Sequence, residues 1–239
     1  MMSQRLTSLG RGGNELYQVV TRVRGQATTL LRTTARAGVT RELIGATALA
    51  ILDESKSESE FTMRVLAARL GVQAPSLYAH VSGIDDIITL VHRRINAGID
   101  TSVLAASEDL GDLCAMARSY LNCYRDHHVA ATIIVSRSIN EDYALAIYEP
   151  IAAFLERFGV PAPSVMPVMA LLDYLVLGSA VEPFSAGFIG SAQSYDAEFP
   201  AIGRALRSSP RMRIDESGFE LGLAALCASI EQLRDVARS

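Results

Sequence analysis

The residues whose types and spacing carry the most specific chemistry lie in residues 61–81, FTMRVLAARLGVQAPSLYAHV. Thr62 can cap a short helix over residues 63–70, and Gly71 suits the left-handed residue that ends it. A second short helix is expected from about Gln73, where Pro75 is tolerated because first-turn N–H groups have no intrahelical partner. Leu77 and Val81 then face inward, which turns Gln73, Ala74, Ser76, Tyr78, Ala79 and His80 outward. These outward residues are small, hydrogen-bonding or aromatic, and none is acidic, so they suit phosphates and base edges alike. Two short helices joined by a glycine turn make a helix-turn-helix, whose second helix can enter a major groove by its N-terminal end.

The elements that must position this unit are also helical. Residues 40–54 form a helix, with Thr40 able to cap it and Glu42 in the first turn. Ser82 and Gly83 break the chain after the motif. Asp85 and Asp86 favour the next helix start, and Ile87, Leu90, Val91 and Ile95 form its inner stripe. Further on, Leu113, Met116, Tyr120 and Tyr124 make one stripe and Ile147, Ile151, Phe154 and Phe158 another. Residues 164–181 are apolar almost all round and must be buried on several sides. A last helix over residues 215–236 offers Leu221, Ala225, Ala228 and Leu233, with Gly222 and Ala224 permitting close approach. No alternating strand pattern is present. The expected fold is all-α: an N-terminal helix-turn-helix DNA-binding domain, then a helical regulatory and dimerisation domain.

Within residues 40–97 the wording resembles the TetR family of bacterial transcriptional regulators, closest to its tetracycline-repressor branch. The likeness rests on the 40–54 helix, the FTMRVLAARLGV stretch and the PSLYAHV signature before an Asp-rich helix start. It implies that Thr62, Tyr78 and His80 hold phosphates and that Arg64 and Gln73 read bases, with Ala74, Pro75, Ser76 and Ala79 on the same surface. Two positions depart from the family pattern. Ser82-Gly83-Ile84 stands where a phosphate-binding Lys is common, and Ala79 where an aromatic residue is common. The resemblance also implies a helical body with an internal ligand pocket, and two long helices that pair two subunits. Residues 164–181 and the last helix are the expected dimer helices.

Charge is distributed in keeping with a polyanionic partner. Residues 1–39 carry six Arg against one acid, Glu15, for +5, whereas residues 40–98 carry −1 and residues 99–239 carry −8. This basic extension has room for one helix over residues 14–37, and its Arg residues could replace the missing phosphate Lys. Domain limits are expected at 1–39, 40–97 and 98–239. The expected ligand-binding residues are Tyr120, Tyr124, His127, Phe154, Met166, Met169, Tyr174 and Phe184, aromatic and Met side chains of the body plus one His.

Other function classes find little support. There is no P-loop, dinucleotide glycine fingerprint, nucleophile elbow or HExxH motif, so no catalytic residue or cofactor is assigned. His127 and His128 are adjacent and point apart on a helix, with no acid at i+4 spacing, so no metal site is assigned. Cys114, Cys123 and Cys227 show no metal or redox spacing and suit a reducing cytoplasm. No apolar run of membrane-span length and no signal-peptide core is read in the chain. The expected partners are therefore a double-stranded DNA operator, a small-molecule ligand and a second copy of the chain, without a membrane. An interaction protein that kept the fold but lost DNA binding is the remaining alternative.

Overall fold

A computed structural model describes residues 38–136, 142–209 and 213–238. The basic extension, with the helix expected over 14–37, lies outside these residues. Residues 41–239 form one compact unit. Its described α-helices are α1 (Arg41–Glu54), α2 (Met63–Leu70), α3 (Ala74–Leu77), α4 (Ile84–Asn96) and α5 (Leu110–Arg125). They are followed by α6 (His128–Val135), α7 (Asp142–Phe158), α8 (Ala162–Val181), α9 (Pro200–Ser208) and α10 (Ile214–Arg238). The described residues contain no strand, so the all-α expectation holds.

Helices α1 to α4 form the front of the molecule. Ile44, Ala48 and Leu52 of α1, Leu66 of α2, Leu77 of α3 and Ile87 and Val91 of α4 share a core without solvent access. Helix α1 crosses α4 closely because Gly45 is buried there. A methyl group on Gly45 would lie 3.0 Å from Leu90 Cβ and 3.4 Å from the Leu90 carbonyl oxygen. Polar contacts brace the same crossing. The Arg41 guanidinium donates to both carboxylate oxygens of Asp86, at 2.9 and 2.5 Å. Asp86 also accepts from the Ser82 backbone N–H at 3.0 Å, which satisfies a donor just ahead of α4.

The rear is built around α8, which packs against α5, α6, α7 and α10. The stripes Leu113, Met116, Tyr120 and Tyr124 of α5 and Ile147, Ile151, Phe154 and Phe158 of α7 are buried, as their spacing predicts. Helix α10 buries Phe219, Leu223, Leu226 and Ile230 instead of the Leu221 stripe. The guanidinium of Arg118 on α5 forms a two-bonded pair with Glu220 on α10. Cys114 and Cys227 meet across the same seam as free thiols, Sγ to Sγ 3.0 Å. Burial pushes the Cys227 thiol up to about 12, so it is not a thiolate nucleophile at neutral pH.

One sequence expectation needs correction. Helix α8 is 20 residues long with a mean hydropathy of 1.7 over its most apolar window, enough by length and composition to cross a membrane. Only a third of that window is buried: Val165, Val168, Leu172 and Val176 pack inward and Asp173 is hydrogen-bonded to two neighbouring helices, while Met166, Leu171 and Tyr174 are exposed, so the helix is buried on one side and not on several.

The Gly45–Leu90 contact predicts that a branched side chain at position 45 forces α1 and α4 apart. Gly45→Val should destabilise the fold by about 1–3 kcal/mol, read from denaturant unfolding. Unchanged stability would show that the crossing has slack.

Candidate nucleic-acid interface and internal cavity

The helix-turn-helix is set by local chemistry. Thr62 is extended and its Oγ1 accepts from the Val65 N–H at 3.2 Å, capping α2. The Thr62 hydroxyl proton remains available outward, so the same side chain can cap and donate to a phosphate. Gly71 takes φ 70°, a left-handed conformation that a side chain would strain. The Val72 N–H then reaches back to the Ala67 carbonyl at 3.0 Å, closing the helix end. Gln73 occupies the N-cap of α3 and Pro75 its first turn.

The exposed surface of this unit gathers the expected DNA residues. Thr62, Arg64, Gln73, Pro75, Ser76, Tyr78 and Ala79 are exposed, and Ala74 and His80 are half-buried. Tyr78 is 58% exposed, unusual for an aromatic residue packed only as core. Arg69 is held by Glu54 through two hydrogen bonds and Arg41 by Asp86, so both charges are locally neutralised. Arg64 has no ion pair among the described residues and keeps its whole fork for an outside partner. The two acids that close α1 are likewise spoken for, Asp53 by His127 and Glu54 by Arg69.

Behind α4 lies a cavity of about 360 Å³. Of the expected ligand residues it brings together Tyr120, Tyr124 and Tyr174. The other five lie elsewhere. Phe154 is fully buried and stacks on Phe158, ring centroids 6.0 Å apart. Met169 is buried outside the cavity lining. Met166 faces outward on α8, and Phe184, 65% exposed, packs edge-on against Phe188. His127 lines a separate groove and pairs with Asp53 on α1, Nδ1 to Oδ1 2.8 Å.

The cavity contains groups that pattern reasoning passed over: His92 and Asn96 on α4, Tyr148 on α7 and Asp173 on α8. Asp173 had a readable signal, an acid in the middle of an apolar helix, which must be paired or sit at a site. Its Oδ1 accepts from the Tyr120 hydroxyl at 2.9 Å and the Tyr148 hydroxyl at 3.0 Å. Burial raises the Asp173 carboxyl above its ordinary value, with the two phenol donors pulling the other way. Burial likewise holds the Tyr120, Tyr124 and Tyr148 phenols protonated.

The second network fixes a proton. Tyr124 donates its hydroxyl to Asn96 Oδ1 at 2.7 Å, so it accepts from His92 Nε2–H at 2.8 Å. His92 Nδ1 is left to accept from the Tyr143 hydroxyl at 3.0 Å. The imidazole is thus neutral with its proton on Nε2, consistent with a pKa brought down to about 4 by burial.

Comparisons with known proteins place this architecture. It is the fold of TetR-family regulators. The TetR family protein ActR of Streptomyces coelicolor, in complex with actinorhodin, superposes with a TM-score of 0.67 at 23% identity, over 81% of this chain and 96% of that one. TetR from Acinetobacter baumannii AYE superposes with a TM-score of 0.63 at 24% identity, over 82% of this chain and 99% of that one. By sequence the chain is similar to the HTH-type transcriptional repressor DrrR1 of Streptomyces coeruleorubidus, 30% identical over 125 residues, 50% of this chain and 44% of that protein. It is also similar to an HTH-type transcriptional regulator of Saccharopolyspora erythraea, 29% identical over 141 residues and 59% of each. The chain thus spans about half the length of the curated relatives it matches. No family model matches it.

The neutral His92 carries a pH signature. Its folded pKa, about 4, lies below the ordinary 6.5, so the unfolded chain binds the proton more readily. The stability this group contributes is present above the ordinary value and is lost as pH falls toward 4. His92→Gln should flatten the decline in unfolding free energy between about pH 6.5 and about pH 5, above the range where carboxylates titrate. An equal slope in wild type and variant would mean that His92 titrates freely in the fold.

Proposed function

We propose that the protein is a DNA-binding transcriptional regulator that acts as a homodimer and is released from an inverted-repeat operator by a small molecule held in the cavity. The carrying observation is the α2–α3 surface, where Arg64, without an ion pair among the described residues, and exposed Thr62, Gln73, Ser76 and Tyr78 share a face without an acid. The regulator names of the curated relatives support the same reading, and no catalytic role is assigned to any residue. In this reading residues 40–97 are the DNA-binding head, residues 98–239 the ligand-binding and dimerisation body, and the protein acts in the cytoplasm on its own genome. The basic extension over 1–39 adds charge toward the DNA backbone.

Two helices support dimerisation. Leu171 and Tyr174 of α8 and Leu221 of α10 are 50%, 72% and 74% exposed, an apolar face on adjacent helices. Ala225 and Ala228 continue that face on α10. Gly222 serves a different approach: a methyl group there would meet Leu175 of the same subunit's α8 at 2.6 Å. A two-fold pairing of this face presents two recognition helices to half-sites about one DNA turn apart.

Effector release follows by linkage. A ligand can shift DNA affinity only if it binds the DNA-competent and DNA-incompetent arrangements unequally. Helix α4 supplies the connection, with His92 and Asn96 at the cavity and Leu90 against α1. ActR's complex with actinorhodin and the minocycline complex of an Acinetobacter TetR variant are consistent with this kind of control.

Selection from random duplexes by the full chain should enrich an inverted repeat. Arg64→Ala should then cost about 1–3 kcal/mol on the enriched duplex and relax preference at one base pair per half-site. Tyr78→Phe should weaken every duplex by one smaller factor, because a single hydroxyl holds a phosphate. No enrichment would refute the DNA-binding reading, and equal loss by Arg64→Ala on every variant would reduce Arg64 to a phosphate contact.

A further inference from the structure

The charges lining the cavity are unbalanced. Asp173 is its acid, no Lys or Arg among the described residues lines it, and His92 is held neutral by its hydrogen bonds. Both phenol donors converge on Oδ1 of Asp173, which fixes the plane of the carboxylate. Oδ2 receives no hydrogen bond from the described residues, and Asp173 forms no ion pair among them. Beside it stand Tyr120 and Tyr148, with Tyr120 edge-on to Tyr124 at 5.2 Å, while Tyr174 lines the rim and is largely exposed. A carboxylate oxygen without a donor among the described residues, in a mostly apolar, tyrosine-lined space, selects for a cation carrying an N–H. A carboxylate or phosphate ligand would meet like charge with no cation among the described lining residues to offset it. A neutral ligand without an O–H or N–H donor would leave Oδ2 unpaired, and one with a neutral donor would leave its charge uncompensated.

We propose that the cavity takes a protonated organic amine on an apolar or aromatic frame, its N–H donated to Oδ2 of Asp173 and its charge held against the tyrosine rings. The proposal rests on the reading of this cavity as the effector site. Its volume, about 360 Å³, suits a frame of two to four fused or linked rings. The phenols of Tyr120 and Tyr148 keep Oδ1 occupied, so the amine needs to supply one donor only. Asp173 is then the residue that determines ligand charge, and the tyrosines determine shape.

The test uses the DNA-free full chain and two fluorescent probes of one ring system: 9-aminoacridine, cationic at neutral pH, and acridine, neutral there. Wild type should bind 9-aminoacridine saturably and at least about tenfold more tightly than acridine. Asp173→Asn keeps the shape and the acceptor for both phenols but removes the charge. It should erase that preference while leaving the thermal unfolding curve as cooperative as wild type. Gly178→Trp projects a ring from a cavity-lining position whose Cβ would meet nothing within 4 Å, and should weaken both probes. Equal binding of the two probes, an unchanged preference in Asp173→Asn, or no saturable binding of 9-aminoacridine overturns the proposal. If the probes bind equally and Gly178→Trp still blocks them, the cavity remains a ligand site and only the amine assignment falls. If Gly178→Trp leaves both untouched, the cavity reading falls with it.

Discussion

One helix belongs to two structures at once, and the rest of the molecule is arranged around that constraint. The middle of α4 is packed against α1 so closely that even a methyl group on Gly45 would crowd Leu90. Two residues further on, His92 turns into the cavity, and Asn96 follows a turn later. Helix α4 also packs against α5, α6 and α7, so it cannot shift within the body without disturbing several interfaces. Close-packed interiors move between discrete arrangements more readily than they deform continuously. In the proposed regulator, a change in the cavity would pass through α4 and α1 to the α2–α3 unit as a displacement of a rigid element.

The polar interior explains why the cavity is specific as well as open. Tyr124 is almost wholly buried, yet its hydroxyl both donates and accepts, tying α5 to two residues of α4. Tyr120 and Tyr148 perform the equivalent task for α8 through Asp173. Each network joins helices that the apolar core alone would hold less uniquely. In the proposed regulator, a ligand that takes hydrogen bonds from either network would act on the positions of α4 and α8 together. The first leads to the head; the second carries the exposed apolar face.

How much of this the sequence reveals depends on how local the cause is. The helix-turn-helix is legible because Thr62, Gly71 and Pro75 each act within a few residues, through a cap, a left-handed turn and a first-turn proline. The stripes of α5 and α7 are legible because their polar faces contrast with their apolar ones. The cavity is built by α4 to α8 and has no local signature. Tyr120, Tyr124 and Tyr174 were readable as aromatic residues of the body, but so were Phe154 and Phe184, which lie in the core and on the surface. On α8, apolar almost all round, periodicity cannot say that Met166 faces out while Met169 faces in. On α10 two apolar stripes compete, and the Phe219 stripe, with the larger side chains, takes the core while Leu221 faces out. Asp173 was the overlooked clue, since a lone acid in such a helix must have a reason to be there.

The account stands most directly on amide hydrogen exchange of the full chain, measured with its selected duplex and with an unrelated duplex of equal length. Linkage requires that DNA bound at the head alter the cavity end of α4, just as a ligand there alters the head. The predicted result is slowed exchange across residues 62–81 together with a change at residues 92–99 that the unrelated duplex does not produce. Slowed exchange confined to residues 62–81, with residues 92–99 indifferent to DNA, would contradict the coupling of cavity and head through α4.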